Sequence, residues 1–135
     1  MNILGVIAGL SAFVGIWLGH VGVRKIERTC QELWQLMLVF TLLGFVFEFF
    51  SFRIETHWLS AIFGILGLTF LWDVLEFKRQ ETRVKKGHAP ANPANPRHIQ
   101  ILFEYPAATV QDFLDRQPVG HPVSLAEDSR FIQER

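Results

Sequence analysis

The chain has one cysteine, Cys30, which excludes a disulfide within it. Its five histidines are scattered without metal-ligand spacing. No nucleophile–base pairing, phosphate-binding loop or metal set stands out, so an enzyme is not expected and neither is a cofactor. Nor is a nucleic-acid partner implied. Lys and Arg are missing before Arg24, so the start lacks the basic segment of a secretory signal. The apolar run that follows is too long for such a signal and shows no small-x-small cleavage site. Polar residues are scarce in the first 77 positions, too scarce to cover soluble helices.

What fills those positions is three apolar stretches, roughly Asn2 to Val23, Leu33 to Phe52 and Trp58 to Phe77. About 20 helical residues cross the roughly 30 Å hydrocarbon core of a bilayer. The fold expected is an all-α membrane protein with three transmembrane helices, and the lipid bilayer is its first partner. Basic residues flank the spans unevenly: Arg24, Lys25 and Arg28 in the first loop, only Arg53 in the second, and Lys78, Arg79, Arg83, Lys85 and Lys86 after the third. Retention of basic residues inside places the N-terminus outside and the C-terminus in the cytoplasm, as expected in a bacterial inner membrane. Cys30 then lies on the reducing side.

The formally neutral chain is dipolar. Residues 78–97 carry a net charge of +5 and residues 98–135 a net of −3. Such a basic collar can attract anionic headgroups, but topology retention accounts for it without lipid specificity and is the simpler reading.

Small residues mark the packing faces. Gly5, Ala8, Gly9, Ala12, Gly15 and Gly19 fall within about 120° of the first helix. A stripe of this kind lets another backbone come close, either the third span or a second molecule. Ser60, Gly64 and Gly67 form a second small face, expected to receive the first helix. Thr69, Asp73, Glu76, Gln80 and Arg83 make a polar stripe on another side of the third helix. That helix is expected to continue to about Lys86, with Gly87 as its C-cap.

Acids within apolar sequence are functional suspects. Glu48 should lie about 6 Å below the outer surface and Asp73 about 22 Å below it, so the two should not pair. Arg53 or His57 are the expected partners of Glu48. Asp73 is expected near His20, Arg24 and Lys25. The candidate polar cluster is therefore His20, Arg24, Lys25, Asp73, Glu76 and Arg83, either an ion entry point or a set of neutralised charges. Phe45, Phe47, Phe49, Phe50 and Phe52, with Trp58, read as an outer interfacial anchor.

The expected domains are a three-span unit at 1–87, a proline-rich linker at 88–97 and a cytoplasmic amphipathic tail at 98–135. The tail reads as mixed α/β or partly disordered. Ile99, Ile101, Phe103 and Tyr105 alternate as in a strand. Pro106 can open a helix with Val110, Phe113 and Leu114. Ser124 to Glu127 is a capping box before Leu125, Phe131 and Ile132. So short a tail needs a surface to fold on, such as a protein partner.

M-N-x-x-G at the start, the W-L-G-H-x-x-V-x-K stretch ending at Lys25, and Trp72, Glu76, Arg83, Val84, Lys86, Gly87, Pro90, Asn92 and Pro93 resemble an uncharacterised family. It comprises small bacterial three-span inner-membrane proteins with a domain of unknown function. The likeness covers about residues 1–97. It implies a three-span protein and carries no activity across. The chain departs from the family at His88 and Ala89, where aromatics are usual, and at Val21, where proline is. The resemblance implies that His20, Lys25, Glu76, Arg83 and the 86–93 motif share an ordered platform.

Two function classes follow. One is a non-catalytic accessory subunit or scaffold that packs through glycine-lined faces, with itself or another membrane protein. The other is an oligomeric ion or small-solute conductor using Asp73, Glu48 and His20. Apolar residues at mid-depth, such as Leu42, Leu43, Ile65 and Leu66, favour the first.

Overall fold

The structure, a computed structural model, describes residues 3–112. Among these it contains four helices and no strand: α1 Ile3–Thr29, α2 Leu33–Arg53, α3 His57–Lys85 and α4 Pro96–Glu104. The first three are long and apolar enough to cross a membrane. A continuous helix suits that environment because it satisfies its own backbone polar groups. α1 has 27 residues and α3 has 29, more than the roughly 20 a bilayer requires. Their surplus turns lie at one end of the bundle, which carries Arg24, Lys25, Arg28, Arg83 and Lys85 and is called the basic end below.

α3 is the centre of the bundle. α1 and α2 each pack along it and scarcely touch one another. α2 runs antiparallel to α3, and a Cβ added at Gly67 would lie 3.0 Å from the Gly44 carbonyl oxygen. Phe40 and Phe47 of α2 interleave with Phe63, Phe70 and Phe77 of α3, with ring centroids 4.9–5.6 Å apart. Near the short 54–56 connection, Ser51 and Ser60 each donate a hydroxyl to the other's carbonyl, at 2.9 and 2.8 Å.

These contacts correct the expected pairing of faces. Ser60, Gly64 and Gly67 receive α2, through Ser51, Glu48 and Gly44. α1 meets the polar stripe instead, with Gly15 against Leu66 and Thr69 and Gly19 against Asp73. The glycine stripe is therefore used over only half its length: Gly5 and Gly9 have no such neighbour within 4 Å. Ala8 and Ala12, on the same side, are half-buried. The aromatic group also divides. Phe47 and Phe50 stack on Phe63, while Phe45, Phe49, Phe52 and Trp58 face outward.

α3 ends as the glycine foretold. Gly87 has φ +72°, its N–H donates to the Val84 carbonyl, and the His88 N–H donates to the Arg83 carbonyl. This pair of bonds is a Schellman closure, which places glycine where a side chain would be strained.

Beyond it the chain departs from expectation. Residues 88–95 are not an extended spacer. They turn back so that Ala91 packs with Val84 of α3 and Ile101 of α4 in a small core. The segment read as a strand is helix α4. Burial there follows His98 and Ile101, three residues apart, while Phe103 is 91% exposed. Asn95 caps α4 by accepting the Arg97 N–H, and Pro96 occupies its first turn. Pro106 opens only a turn. Phe113, Leu114 and the Ser124–Glu127 box lie outside the described residues.

Candidate functional site

The C-terminus of α1 leaves carbonyls without helical donors, as every helix end does. Here the 92–97 segment supplies the donors. The side-chain amides of Asn92 and Asn95 donate to the Arg28 carbonyl at 3.1 and 3.2 Å, and Asn95 also reaches the Cys30 carbonyl at 2.8 Å. Arg97 adds its charge, donating to the Glu27 carbonyl at 2.8 Å, where the helix dipole favours a cation. Asn95 thus closes the end of α1 and the start of α4 with one side chain.

Beneath this cap lies the buried pair Glu27 and His98, at 1% and 0% exposure. The Asn92 backbone N–H donates to His98 Nδ1 at 2.8 Å, so that nitrogen carries a lone pair. The ring proton is therefore on Nε2, which donates to Glu27 Oε1 at 3.0 Å. Arg97 Nη2 reaches the same oxygen at 2.7 Å. Burial raises the Glu27 carboxyl, but hydrogen bonds from His98 and Arg97 outweigh it and hold the group below its ordinary value.

The candidate cluster separates into two places. His20 and Asp73 line an apolar groove of about 500 Å³ between α1 and α3, with Ile16 and Trp72. The Asp73 carboxylate rests on Gly19, where an added Cβ would come within 2.7 Å of it. Among the described residues it forms no ion pair with Arg24 or Lys25. Those two cations line a separate pocket with Arg28 and Arg83. Glu76 is held by Arg79 at 2.6 Å, with Arg83 farther off at 3.8 Å. Arg79 also covers the Trp72 ring, 5.1 Å from its centroid.

Glu48 meets neither Arg53 nor His57. Its carboxylate lies against Gly67, on the α2 side of α3, whereas Asp73 lies on the α1 side. The two acids within the apolar lengths therefore belong to different helix contacts.

The residues that tie the basic end together, Glu27, Asn95, Arg97 and His98, stood outside the expected cluster. The available signal was Asn95-Pro96, a helix cap followed by proline at the first helical position.

Two long apolar helices packed on a central third, closed at one end by a short polar-anchored helix, have the form of a small polytopic helical membrane protein. The chain belongs to the family described as domain of unknown function (DUF4491), whose model matches residues 2–95. No curated protein and no solved structure matches it.

Proposed function

We propose that the protein is a non-catalytic accessory subunit or scaffold of a bacterial inner membrane, N-terminus outside and basic end in the cytoplasm. The observation that carries this reading is α4. Asn92, Asn95, Arg97 and His98 fasten it to α1, and Ile101 buries it beside Val84 of α3. Its other side leaves Ile99 and Phe103 outward, at 47% and 91% exposure. An anchored helix with an apolar edge offers a partner a fixed surface and saves the entropy of ordering it. The outer half of α1, with Gly5 and Gly9 open, gives a second surface within the bilayer for another copy or another membrane protein.

Conduction has less support. Asp73 and Glu48 lie on opposite sides of α3, and the residues between their levels are apolar apart from Thr41 and Thr69, whose hydroxyls turn back to their own helices. The test is the mass of the full chain extracted in mild detergent, compared with Ile99→Gln/Phe103→Gln and with Gly5→Leu/Gly9→Leu. Assembly into a larger particle that either variant dissociates supports the reading. A lone monomer throughout refutes it. Proteoliposome flux lost in Asp73→Asn or Glu48→Gln would replace it with conduction.

A further inference from the structure

The basic end contains a pocket of about 400 Å³ whose walls come mainly from three segments, with Asp112 beside them. α1 contributes Arg24, Lys25 and Arg28, which its helical spacing sets on neighbouring positions of one overhanging turn. α3 contributes Gln80 and Arg83, and the turn after Gly87 contributes His88, Ala89 and Pro90. Two acids also line it. Glu27 is already bound by Arg97 and His98, and Asp112 has an interaction of its own. Among the described residues the side chains of Arg24, Lys25 and Arg28 form no hydrogen bond or ion pair. Arg83 is held only loosely, 3.3 Å from Gln80 and 3.8 Å from Glu76, which Arg79 engages more closely.

Four cations thus converge on one concave space with two acids, of which Glu27 is bound by Arg97 and His98. The space opens where the apolar lengths of α1 and α3 give way to charge, just past Val23 and Phe77. Guanidinium forks match tetrahedral phosphate oxygens, and a lysine adds a point charge. We propose that this pocket binds a phosphate-bearing anion, supplied either by the headgroup of an anionic lipid or by a free phosphate compound. Arg24, Lys25 and Arg28 grip the phosphate and Arg83 closes on it from α3. The volume leaves room beside it for a small polar substituent such as glycerol. The proposal is independent of the scaffold reading, because it needs no protein partner.

The experiment is calorimetric titration of the purified full chain in nonionic detergent, with four probes. They are inorganic phosphate, short-chain phosphatidylglycerol, the matching phosphatidylcholine and a hexaglutamate peptide. Saturable binding of phosphatidylglycerol, with phosphatidylcholine about tenfold weaker, assigns the lipid source. Binding of inorganic phosphate as tight as that of phosphatidylglycerol assigns the free anion. In either case R24Q/R28Q weakens binding about tenfold or more, and R24K/R28K restores most of it. Only the Arg28 carbonyl serves the α4 cap, so both variants should keep the parent's unfolding temperature, which is measured alongside. No saturable binding of either phosphate, unchanged binding by R24Q/R28Q, or tighter binding of hexaglutamate overturns the proposal.

Discussion

Glu27 and His98, 71 positions apart in the chain, share a 3.0 Å hydrogen bond where neither side chain meets solvent. The bond joins the end of the first membrane helix to the last described helix, and Arg97 completes it from the same side. Removing one member of a buried ionic set strands the others, at a cost of about 3–5 kcal/mol. Glu27→Ala and His98→Ala should therefore lower the unfolding temperature in detergent and speed amide exchange across residues 92–104. Unchanged exchange in both would show that α4 is held by its apolar contacts alone.

Acid should release the same contact. The Glu27 carboxyl is held below its ordinary value of 4.5, so its contribution is complete above that value. The contribution then disappears as pH falls through the lowered value in the folded protein. Amide exchange at α4 should be insensitive to this group near neutrality and rise only in acid. Glu27→Gln should remove that acid rise while raising the baseline at neutral pH.

Two glycine pairs should respond in opposite ways. A Cβ at Gly44 would lie 2.6 Å from Leu71 Cγ, and one at Gly67 would lie 3.0 Å from the Gly44 carbonyl oxygen. Gly44→Ala and Gly67→Ala should each cost about 1–3 kcal/mol, because α2 and α3 must separate. Gly5→Ala and Gly9→Ala, with open space before them, should stay within about 0.5 kcal/mol. Thermal unfolding of the four variants in one detergent makes the comparison.

Gly87 is a third case. Its φ of +72° favours glycine, and an added Cβ would also run into the Ala107 carbonyl. Gly87→Ala should cost more than about 1–3 kcal/mol, the usual penalty for backbone strain alone. It should also expose the 86–90 turn to limited proteolysis. Parent-like cleavage would mean that the turn adapts without loss.

The single cysteine makes the proposed orientation directly measurable. Cys30 is partly exposed at the basic end. In intact bacterial cells it should resist a membrane-impermeant maleimide and react once the membrane is permeabilised. Glu55→Cys, in the exposed connection at the opposite end, should show the reverse pattern in a Cys30→Ser background. Labelling of Cys30 in intact cells would invert the topology.

The three long helices were legible because a hydrocarbon core demands unbroken apolar length, which no loop or soluble surface imitates here. Their mutual faces were not. α3 carries a small face at Ser60, Gly64 and Gly67 and a polar one at Thr69 and Asp73, and a glycine stripe could fit either. The choice went to Asp73 because Gly19 leaves room for its carboxylate beside the α1 backbone. α4 was hidden for another reason. Ile99, Ile101, Phe103 and Tyr105 alternate as a strand would, but the residue that anchors the helix is polar His98, which an apolar pattern does not count. Of the candidate cluster, the cations were legible as a group. Their separation from Asp73 depends on the depth at which α1 crosses α3.

With α3 as the only helix that both others touch, α1 and α2 have almost nothing to gain from each other. During synthesis they emerge first, so each lacks its main packing surface until the third helix is made. The last span made is the one around which the tertiary structure condenses. A chain that stops before residue 57 leaves α1 and α2 without the helix that each packs along.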